Sequence, residues 1–540
     1  MSTVTIPRIG GYRRPAIMDW LTTVDHKKLG ILYLWFTLFF FAVGGILALL
    51  VRTQLAVGEN TFLANDAYNQ IFTMHASAML FLFIIPIWAG FGNYFVPLHI
   101  GALDMAFPRI NALSFWMLPP AAILMFAGFL VDGGAAAGGW TAYTPLSRQA
   151  GMGMDLWILA VLLLGMSSTI GAANFLVTMF RMRAPGMTMF RMPIFTWTML
   201  VTALLQLLAT PVLASALAML FIDRNYGGAF FDPNGGGNVV LWQNVFWFYS
   251  HPAVYIMILP GMGIISEILP VFSRKPLFGY KAFVFATMGI GALGFSVWAH
   301  HMFTTGAVLL PFFGIMTFMI GVPTGVKIFN WLGTVWGGSI SFKSPMLWGL
   351  GFVSMFLIGG LNGTFSAAVP VDFALHDTYF VVAHIHYVLF GGSVMAVFGG
   401  LYYWFPKIWG RMLDERLGKL HFALSFIGFN LAFFPMHLLG LDGMPRRIAT
   451  YANDTGWETM NLLSTIGAFL IAVSMIPFII NVVLAFRRPP DQPSDPWEGN
   501  TLEWATTSPP PVHNFDSLPP IKSERPLFDV RQENKDTETN

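Results

Sequence analysis

Long apolar stretches separated by short polar connections run along the chain from about residue 30 to residue 486, and a polar stretch follows. Each apolar stretch approaches or exceeds the roughly 20 residues that a helix needs to cross the hydrocarbon core of a bilayer. Twelve spanning helices are predicted, at about residues 30–51, 72–97, 112–131, 155–180, 194–222, 241–270, 282–303, 307–330, 347–367, 378–405, 420–440 and 461–486. The predicted fold class is therefore an all-α integral membrane protein, with about twelve transmembrane helices in one bundle.

Composition supports this class and narrows the chemistry. Hydrophobic residues make up 55% of the 540 residues and charged residues only 10%, which excludes an ordinary soluble domain. There is no cysteine, so disulfides, thiolate zinc sites, iron–sulfur clusters and a cysteine nucleophile are excluded. Any metal must be bound by histidine, carboxylate or methionine. The net charge of +2 gives no indication of a nucleic-acid partner, and no nucleotide-binding glycine motif is present.

The distribution of lysine and arginine predicts the orientation, because basic loops are retained on the cytoplasmic side. Of 29 such residues, 23 fall in the two termini and in the connections on their side of the membrane, and five fall on the opposite side. Both termini are therefore predicted to be cytoplasmic. The predicted organisation is a cytoplasmic segment (1–16), a helical body (17–488) and a polar, poorly ordered cytoplasmic tail (489–540). The first thirty residues lack a signal-peptide pattern.

Six histidines fall inside the predicted spans. They are His75, His251, His300, His301, His384 and His386. Histidine in hydrocarbon is costly and usually functional, and neutral imidazole is a common ligand of iron and copper. Any one of them could be a hydrogen-bonded packing residue, but six together favour a redox metal site. Ordinary solvated or interfacial roles are expected for the histidines in loops and at span ends, His26, His99, His421, His513 and, more weakly, His437.

Helical geometry relates three polar residues of the sixth span. His251 and Tyr255 are four residues apart, so a potential ligand and a phenol share one face of the helix. Ser266 lies three further turns along the same face, roughly 16 Å beyond Tyr255. Its hydroxyl is therefore a candidate step on a proton route. Lys327, the only lysine within the predicted hydrocarbon, could extend its ammonium group to the interface, but Thr324 three residues earlier favours proton transfer.

Angular spacing separates the remaining histidines. His300 and His301 differ by about 100° around a regular helix, so the turn must loosen if both bind one metal. His384 and His386 differ by about 200°, so one helix could ligate two different cofactors. His75 is then the natural axial partner of one of these two, giving a six-coordinate haem beside a five-coordinate one. Geometry alone leaves open which of the two it pairs with.

Four longer motifs carry a resemblance to a known family. They are Trp298-Ala-His300-His301-Met, Val322-Pro-Thr324-Gly-Val-Lys327, His376-Asp377-Thr-Tyr-Phe-Val-Val-Ala-His384-Ile-His386-Tyr and Gly443-Met-Pro-Arg446-Arg447. Each motif is long, and their order along the chain matches the family. Together they closely resemble subunit I of the haem–copper oxidases, of the cytochrome c oxidase type, over roughly residues 17–490.

The resemblance implies a copper and two haems, expected to be haem A. His251, His300 and His301 would bind copper B, and Tyr255 would be cross-linked to His251 and donate an electron and a proton to oxygen. His384 would bind the iron of the high-spin haem.

The low-spin haem would have His75 and His386 as its axial ligands, which chooses between the pairings that geometry left open. Further residues implied to contact cofactors are Arg446 and Arg447 at the haem propionates, Arg52 near the low-spin haem's substituent, Trp247, and His376 with Asp377 at a magnesium site shared with subunit II.

The implied activity is the four-electron reduction of O2 to water with electrons from cytochrome c, coupled to proton translocation in a respiratory chain. Lys327 would carry protons to Tyr255 on the first of two routes, with Thr324 and Ser266. The second route would contain Asp104, Asn93, Asn111, Ser167, Ser168 and Asn174. Without the family, Asp104 would be interpreted as a solvated loop acid.

One position departs from the common family pattern. Most members carry glutamate two residues after the first copper-binding histidine, where this chain has Ala253. A subgroup instead carries Tyr-Ser immediately before that histidine, and Tyr249-Ser250 match it. Tyr249 is four residues before Ala253, so its hydroxyl can reach the same helix face. A phenol relays protons by hydrogen bonding rather than by ready ionisation, so proton pumping is expected to persist.

Three alternatives differ in class or in electron donor. A quinol oxidase of the same superfamily would share almost all of these residues, whereas nitric oxide reductase is disfavoured by Tyr255 and Lys327. A twelve-span secondary transporter would explain the helix count, but it should have broken helices at the membrane midplane rather than clustered imidazoles.

The implied partners follow in part from the missing cysteines. A dinuclear copper centre with thiolate ligands must lie on another polypeptide, subunit II, so partners are obligatory. Subunit III and smaller subunits, cytochrome c, O2 and membrane lipid are also implied, and nucleic acid is not. The absence of a targeting peptide and the pair Tyr249-Ser250 favour a bacterial plasma membrane over an organelle.

Overall fold

The computed structural model describes residues 15–539, and within that range the chain is helical apart from its connections and two isolated β-bridges. Twelve helices are long and apolar enough to cross a membrane, which confirms the predicted number. In chain order they are α1 (His26–Gln54), α2 (Asn65–Ile100), α3 (Pro108–Leu130), α4 (Met152–Arg181), α5 (Ile194–Asn225), α6 (Val239–Ser273), α7 (Tyr280–Thr305), α8 (Leu310–Val335), α9 (Ser344–Ala367), α10 (Tyr379–Trp409), α11 (Glu415–Leu441) and α12 (Glu458–Phe486). The observed ends differ from the predicted ones by at most seven residues, because polar terminal turns stay helical and hydropathy does not detect them.

The predicted N-terminal segment, residues 1–16, lies almost entirely outside the described residues. Short helices outside the bundle cover Ala16–Leu21, Leu146–Gln149, Val369–Leu375 and Pro526–Thr539. Of these, Val369–Leu375 leads into the start of α10 and packs against α9.

The bundle has a buried centre and an apolar outer surface of the kind that faces lipid. Helices α2 and α6 are the most enclosed by protein, whereas α1, α8 and α12 leave most of their apolar surface open. Apolar side chains on that open surface are expected, because lipid tails are as apolar as leucine. The two central helices are those that carry His75 and His251, so both imidazoles lie away from lipid.

Local departures from α-helical geometry occur beside the histidines. A π-helix, Ala78–Ile84, follows His75 in α2, and a second, Leu389–Val394, follows His386 in α10. In α7 the end of the helix is a 3-10 segment, Trp298–Thr305, with an irregular residue inside it. The predicted loosening around His300 and His301 is therefore confirmed. Such distortions are frequent at functional sites.

The prediction of a poorly ordered C-terminal tail is wrong for the part that follows α12. The side chains of Trp497 and Trp504 are buried, and the indole of Trp497 donates to the carbonyl of Tyr403 at 2.8 Å. The indole of Trp504 donates to the hydroxyl of Tyr403 at 3.1 Å. The polar composition of residues 489–540 conceals these two tryptophans, whose burial orders the segment against the end of α10.

Buried polar groups at this end of the bundle also correct the sequence analysis. Lys407 at the end of α10 is fully buried like Lys327, and its ammonium donates to the carbonyl of Thr506 at 2.7 Å. His99 at the end of α2 is buried 3.2 Å from Glu503. Burial raises the pKa of the Glu503 carboxyl, but the lowering effects, led by the adjacent His99, are together larger, so the pKa lies below its usual range.

The expected solvated roles hold for one of the loop and span-end histidines. His513 is exposed, whereas His26, His99 and His421 are buried within the described part of the chain. Their positions near polar loops gave no sign of this, because the segments that cover two of them come from the C-terminal tail.

Candidate metal centre

A central cavity of about 540 Å³ lies in the bundle and is lined by all six intramembrane histidines. They come from four helices, α2, α6, α7 and α10. Its walls are mostly apolar, and its charged lining residues, Asp372, Asp377 and Arg446, lie together. The structure therefore brings together, from distant parts of the chain, every histidine that the sequence singled out.

Three of these histidines form a compact cluster. One ring nitrogen from each of His251, His300 and His301 lies within 4.8 Å of the others, and within residues 15–539 no other group of three or more His, Asp or Glu converges as closely. The Nε2 atoms of His300 and His301 are 3.1 Å apart, and Nδ1 of His251 is 3.4 Å from Nε2 of His301. The indole of Trp247 stacks on His301 at 3.7 Å between ring centres. Three neutral imidazoles with room for a further ligand suit a copper ion.

The phenol of Tyr255 lies beside this cluster. Its ring centre is 4.6 Å from that of His251, which confirms that the two share a helix face. The Nε2 atom of His251 is buried and has no hydrogen-bond partner. A buried polar nitrogen without a partner is costly and calls for an explanation.

A second arrangement pairs His75 with His386. Their rings are nearly parallel, at 8°, with centres 6.5 Å apart. A metal ion about 2 Å from one nitrogen of each ring would hold the ring centres roughly 6 Å apart. The Nδ1 atoms donate to the carbonyls of Gly44 and Val382, both at 2.8 Å, so the Nε2 atoms remain available. This geometry fits a six-coordinate iron between the rings.

His384 faces the other side of α10, as its spacing from His386 predicts. Its Nδ1 atom donates to Oδ1 of Asn362 at 2.5 Å and to the carbonyl of Gly359 at 3.1 Å, both on α9. The Nε2 atom is thereby left for a metal. His386 has the parallel ring of His75 opposite it, but no cavity-lining histidine stands opposite His384 in this way. A single axial histidine fits a five-coordinate iron.

Charged groups converge at one end of the cavity. Nε of Arg446 donates to Oδ1 of Asp377 at 2.6 Å, and Nε2 of His376 lies 3.9 Å from Oδ2 of the same carboxylate. Nδ1 of His376 donates to Asp372 at 3.0 Å. Burial raises the pKa of Asp377, but the lowering effects, led by Arg446, are together larger, so the pKa lies below its usual value and the carboxyl is ionised at neutral pH. Burial, followed by repulsion from Arg446, lowers the pKa of Arg447 to about 10. Asp372 was not singled out from the sequence.

Arg52 is buried near the start of α12, with part of its guanidinium unpaired. Nη2 donates to the carbonyl of Asn461 at 2.8 Å and to the hydroxyl of Thr465 at 3.1 Å. Nε and Nη1 are buried without a hydrogen-bond partner. Two unsatisfied donors on a buried cation indicate room for an acceptor from a bound group.

Comparison with known proteins identifies the family. The family model described as "Cytochrome C and Quinol oxidase polypeptide I" matches residues 28–470. The chain belongs to this family. Membership implies haem and copper cofactors, an oxidoreductase activity, a place within the membrane, and partnership with subunit II and other subunits.

Curated relatives of this oxidase subunit cover nearly its whole length. It is 54% identical to "Cytochrome c oxidase subunit 1" of Corynebacterium efficiens, over 97% of this chain and 91% of the relative. It is also 54% identical to "Probable cytochrome c oxidase subunit 1-beta" of Nocardia farcinica, over 96% and 89%. A solved haem–copper terminal oxidase dimer matches with a TM-score of 0.72 at 17% identity, over 86% of this chain and 84% of that one, which supports the fold alone.

The first predicted proton route of the oxidase subunit lies between α6 and α8. Nζ of Lys327 is buried 3.4 Å from the sulfur of Met262, one turn before Ser266. The hydroxyl of Ser266 accepts a hydrogen bond from the indole of Trp331 at 2.9 Å. Thr324 lines the central cavity together with Tyr255. Lys327 and Ser266 thus bond to other side chains rather than to each other, and a proton route through both would need bridging water.

Several residues named for the second predicted route lie near one another. Nδ2 of Asn111 donates to Oδ1 of Asn93 at 2.6 Å. A small cavity of about 40 Å³ is lined by Asn93, Ser167 and Ser168, and Tyr249 lines the same cavity. Tyr249, four residues before Ala253 on α6, therefore borders the same space as three residues of the predicted route.

Other residues of this route differ from the prediction or were missed. Asn174 does not line the small cavity but accepts from the backbone of Phe107 at 2.9 Å. Asp104 is half-buried in the loop after α2, where its Oδ1 accepts from the backbone nitrogen of Met105 at 2.7 Å and burial raises its pKa to about 6. Additional polar lining residues that the sequence analysis missed are Tyr33, Ser114 and Gln206. Ser114 could have been found, because it lies three residues after Asn111 on one helix face.

Proposed function

We propose that the chain is the catalytic subunit of a cytochrome c oxidase, which reduces O2 to water with four electrons from cytochrome c and couples this to proton translocation. The observation that carries the proposal is the convergence of six imidazoles on one central cavity in a member of this family. Its relatives from Corynebacterium efficiens and Nocardia farcinica are named as cytochrome c oxidase subunits, which favours cytochrome c over quinol as donor.

Copper B is assigned to His251, His300 and His301. When bound, the copper and the two haem irons relay electrons and hold the oxygen that is reduced. The mutual approach of the three ring nitrogens supports the assignment. The hydroxyl of Thr317, 3.0 Å from Nδ1 of His300, fixes the orientation of that ring so that its Nε2 faces the cluster.

The haem irons are assigned to His384 and to the pair His75 and His386, and both haems are proposed to be haem A. The parallel rings and their 6.5 Å separation support two axial ligands on one iron. The mostly apolar lining of the cavity suits a planar macrocycle.

Tyr255 is proposed to be cross-linked to His251 and to donate an electron and a proton to oxygen. Because Nδ1 of His251 lies 3.4 Å from Nε2 of His301, its own Nε2 is left for the cross-link. The lack of a hydrogen-bond partner at this buried nitrogen supports the proposal. A covalent bond there would remove the unsatisfied group.

The charged cavity end is proposed to bind the haem propionates and a magnesium ion. Arg446 and Arg447 match carboxylates in charge and geometry, and Arg52, with its two unpaired donors, would bind a polar substituent of the low-spin haem. Trp247 would pack against a cofactor through its stacking on His301. Magnesium would be held by His376 and Asp377, at the interface with subunit II.

Protons are proposed to reach the oxygen site by two routes. The first uses Lys327, Thr324 and Ser266, with Lys327 and Tyr255 as its catalytic members. The second begins at Asp104 and ends at Tyr249 and Ser250, which would replace the glutamate common in the family. The shared lining of Asn93, Ser167, Ser168 and Tyr249 around one cavity supports the second route.

The chain is proposed to lie in a bacterial plasma membrane with both termini in the cytoplasm, beside subunit II with its dinuclear copper, subunit III and smaller subunits. The excess of Lys and Arg on one side supports this orientation. The segment after α12 would then cover the cytoplasmic end of the bundle.

Optical spectroscopy and O2 uptake test the proposal. Reduced-minus-oxidised spectra of the purified complex should have haem bands of which one part responds to carbon monoxide, and reduced cytochrome c should support O2 uptake. His386→Leu should abolish the low-spin bands, while His513→Gln, at an exposed histidine, should leave them unchanged. Uptake with quinol alone would assign the chain to the quinol oxidases, and a complex without haem would refute the proposal.

A further inference from the structure

A continuous chain of hydrogen bonds runs outward from His384 across three helices. Nδ1 of His384 on α10 donates to Oδ1 of Asn362 on α9 at 2.5 Å. Nδ2 of Asn362 and Nε2 of His437 on α11 are 2.7 Å apart. Nδ1 of His437 donates to the carbonyl of Phe434 at 3.3 Å. No role was predicted for Asn362, and the solvated or interfacial role expected for His437 is wrong, because its side chain is buried.

The two ends of the chain determine the direction of every bond within it. Because the carbonyl of Phe434 can only accept, Nδ1 of His437 carries the proton and its Nε2 is an acceptor. Asn362 must therefore direct its NH2 group to His437 and its oxygen to His384. The carbonyl of Gly359, 3.1 Å from Nδ1 of His384, requires the same tautomer. All four groups are satisfied only when Nε2 of His384 keeps its lone pair for a metal.

The outer imidazole is held in a fixed position. His437 is 8% exposed, and the rings of Phe380 and Tyr387 lie 5.2 and 5.1 Å from it. Burying an imidazole in such a place is unfavourable unless its nitrogens are bonded. The bonds to Asn362 and Phe434 satisfy both nitrogens, so the ring and the carboxamide fix each other's orientation.

The other proposed haem ligands lack this arrangement. The Nδ1 atoms of His75 and His386 donate to the backbone carbonyls of Gly44 and Val382. A carboxamide whose NH2 group is itself bonded to an imidazole is polarised, which makes its oxygen a stronger acceptor than an isolated carbonyl. A stronger acceptor at Nδ1 increases the basicity of the opposite nitrogen.

We propose that Asn362 and His437 are positioning residues, which orient His384 and strengthen its donation to the high-spin haem iron. The inference rests on the proposed role of His384 as a haem ligand and adds two residues that act through it. Neither residue contacts the reacting oxygen in this scheme. Their effect lies on the side of the ligand that faces away from the iron.

The test is the iron–histidine stretching band in the resonance Raman spectrum of the reduced complex. In Asn362→Leu the band should move to lower frequency, because the acceptor is lost while the number and branching of the side-chain heavy atoms are kept. In Asn362→Asp, which keeps an acceptor oxygen, it should lie above the position found for Leu. His437→Phe should move it in the same direction as Leu but by less. Turnover should fall by about 10-fold or more in Asn362→Leu, and the low-spin haem bands should not change.

The controls separate this inference from the proposed function. Ser354→Ala removes a hydroxyl from an exposed position of the same helix and should leave the band in place. A band at the parent position in Asn362→Leu would overturn the inference, since the Gly359 carbonyl would then suffice. If that variant does not assemble, an unchanged band in His437→Phe overturns it. A parent complex without any such band would refute the proposed role of His384 itself.

Discussion

The contact between α10 and α11 leaves no room for a side chain at Gly440. A methyl group at that position would lie 2.0 Å from the backbone nitrogen of Phe380 and 2.6 Å from its Cα. The obstructing atoms are backbone, so no rotamer change can move them. Ordinary van der Waals contact begins near 3.4 Å, so Gly440→Ala requires the two helices to separate by about 1.4 Å.

That separation would be transmitted to two proposed haem ligands. His384 and His386 follow Phe380 by four and six residues on the same rigid helix. A misplacement of about 1 Å can lower a catalytic rate roughly 100-fold. We therefore expect Gly440→Ala to lower O2 uptake by about this factor and to disturb both the carbon-monoxide-sensitive and the low-spin haem bands.

The matched control is Gly45→Ala on α1, where an added methyl group meets nothing within 4 Å. Its spectra and O2 uptake should equal those of the parent. Haem per polypeptide should be measured for both variants, so that loss of cofactor is distinguished from loss of rate. Parent-like uptake and spectra in Gly440→Ala would refute the reasoning that this close contact positions the ligands.

Three further predictions concern the second proton route and the C-terminal segment. Tyr249→Phe combined with Ser250→Ala removes the hydroxyls near Ala253, and O2 uptake should fall by about 100-fold. The control is Tyr226→Phe, at an exposed tyrosine. Normal uptake in the double variant would exclude this relay. Burial raises the pKa of Asp104 to about 6, so its carboxyl is mostly protonated below that pH and ionised above it. Asp104→Asn should remove the change in O2 uptake that this titration causes between about pH 5 and 7. An unchanged pH profile would count against Asp104 as the start of the route. Trp504→Ala should lower the free energy of unfolding by about 3–5 kcal/mol. Thermal unfolding measures this change, and the control is Trp336→Ala, at an exposed tryptophan. Equal melting temperatures of the two variants would mean that the packing of Trp504 adds no stability.

Relations within one helix could be predicted from the sequence. The shared face of His251 and Tyr255 and the opposite faces of His384 and His386 follow from residue spacing, and both are found. These predictions succeed because helical geometry fixes angles along a continuous segment.

Relations between helices could not be predicted in the same way. Asn362 lies 22 residues from His384 and 75 from His437, and nothing in local spacing indicates that the three meet. Lys407 and Glu503 were missed because their burial depends on a segment whose composition is polar. The family resemblance supplied the ligand pairing of His75, but only for residues that lie in its motifs.

The contact between His99 and Glu503 also implies an order in time. About 400 residues separate the two, so at a synthesis rate of roughly 5–20 residues per second α2 is made some 20–80 s before Glu503 exists. During that interval the hydroxyl of Thr196, 3.1 Å from Nδ1 of His99, is the partner that is translated first. A nascent chain that stops before Glu503 lacks the carboxylate that pairs with His99 and accepts from the indole of Trp404. The contacts of Glu503 at this end of the bundle therefore form only in the last stage of synthesis.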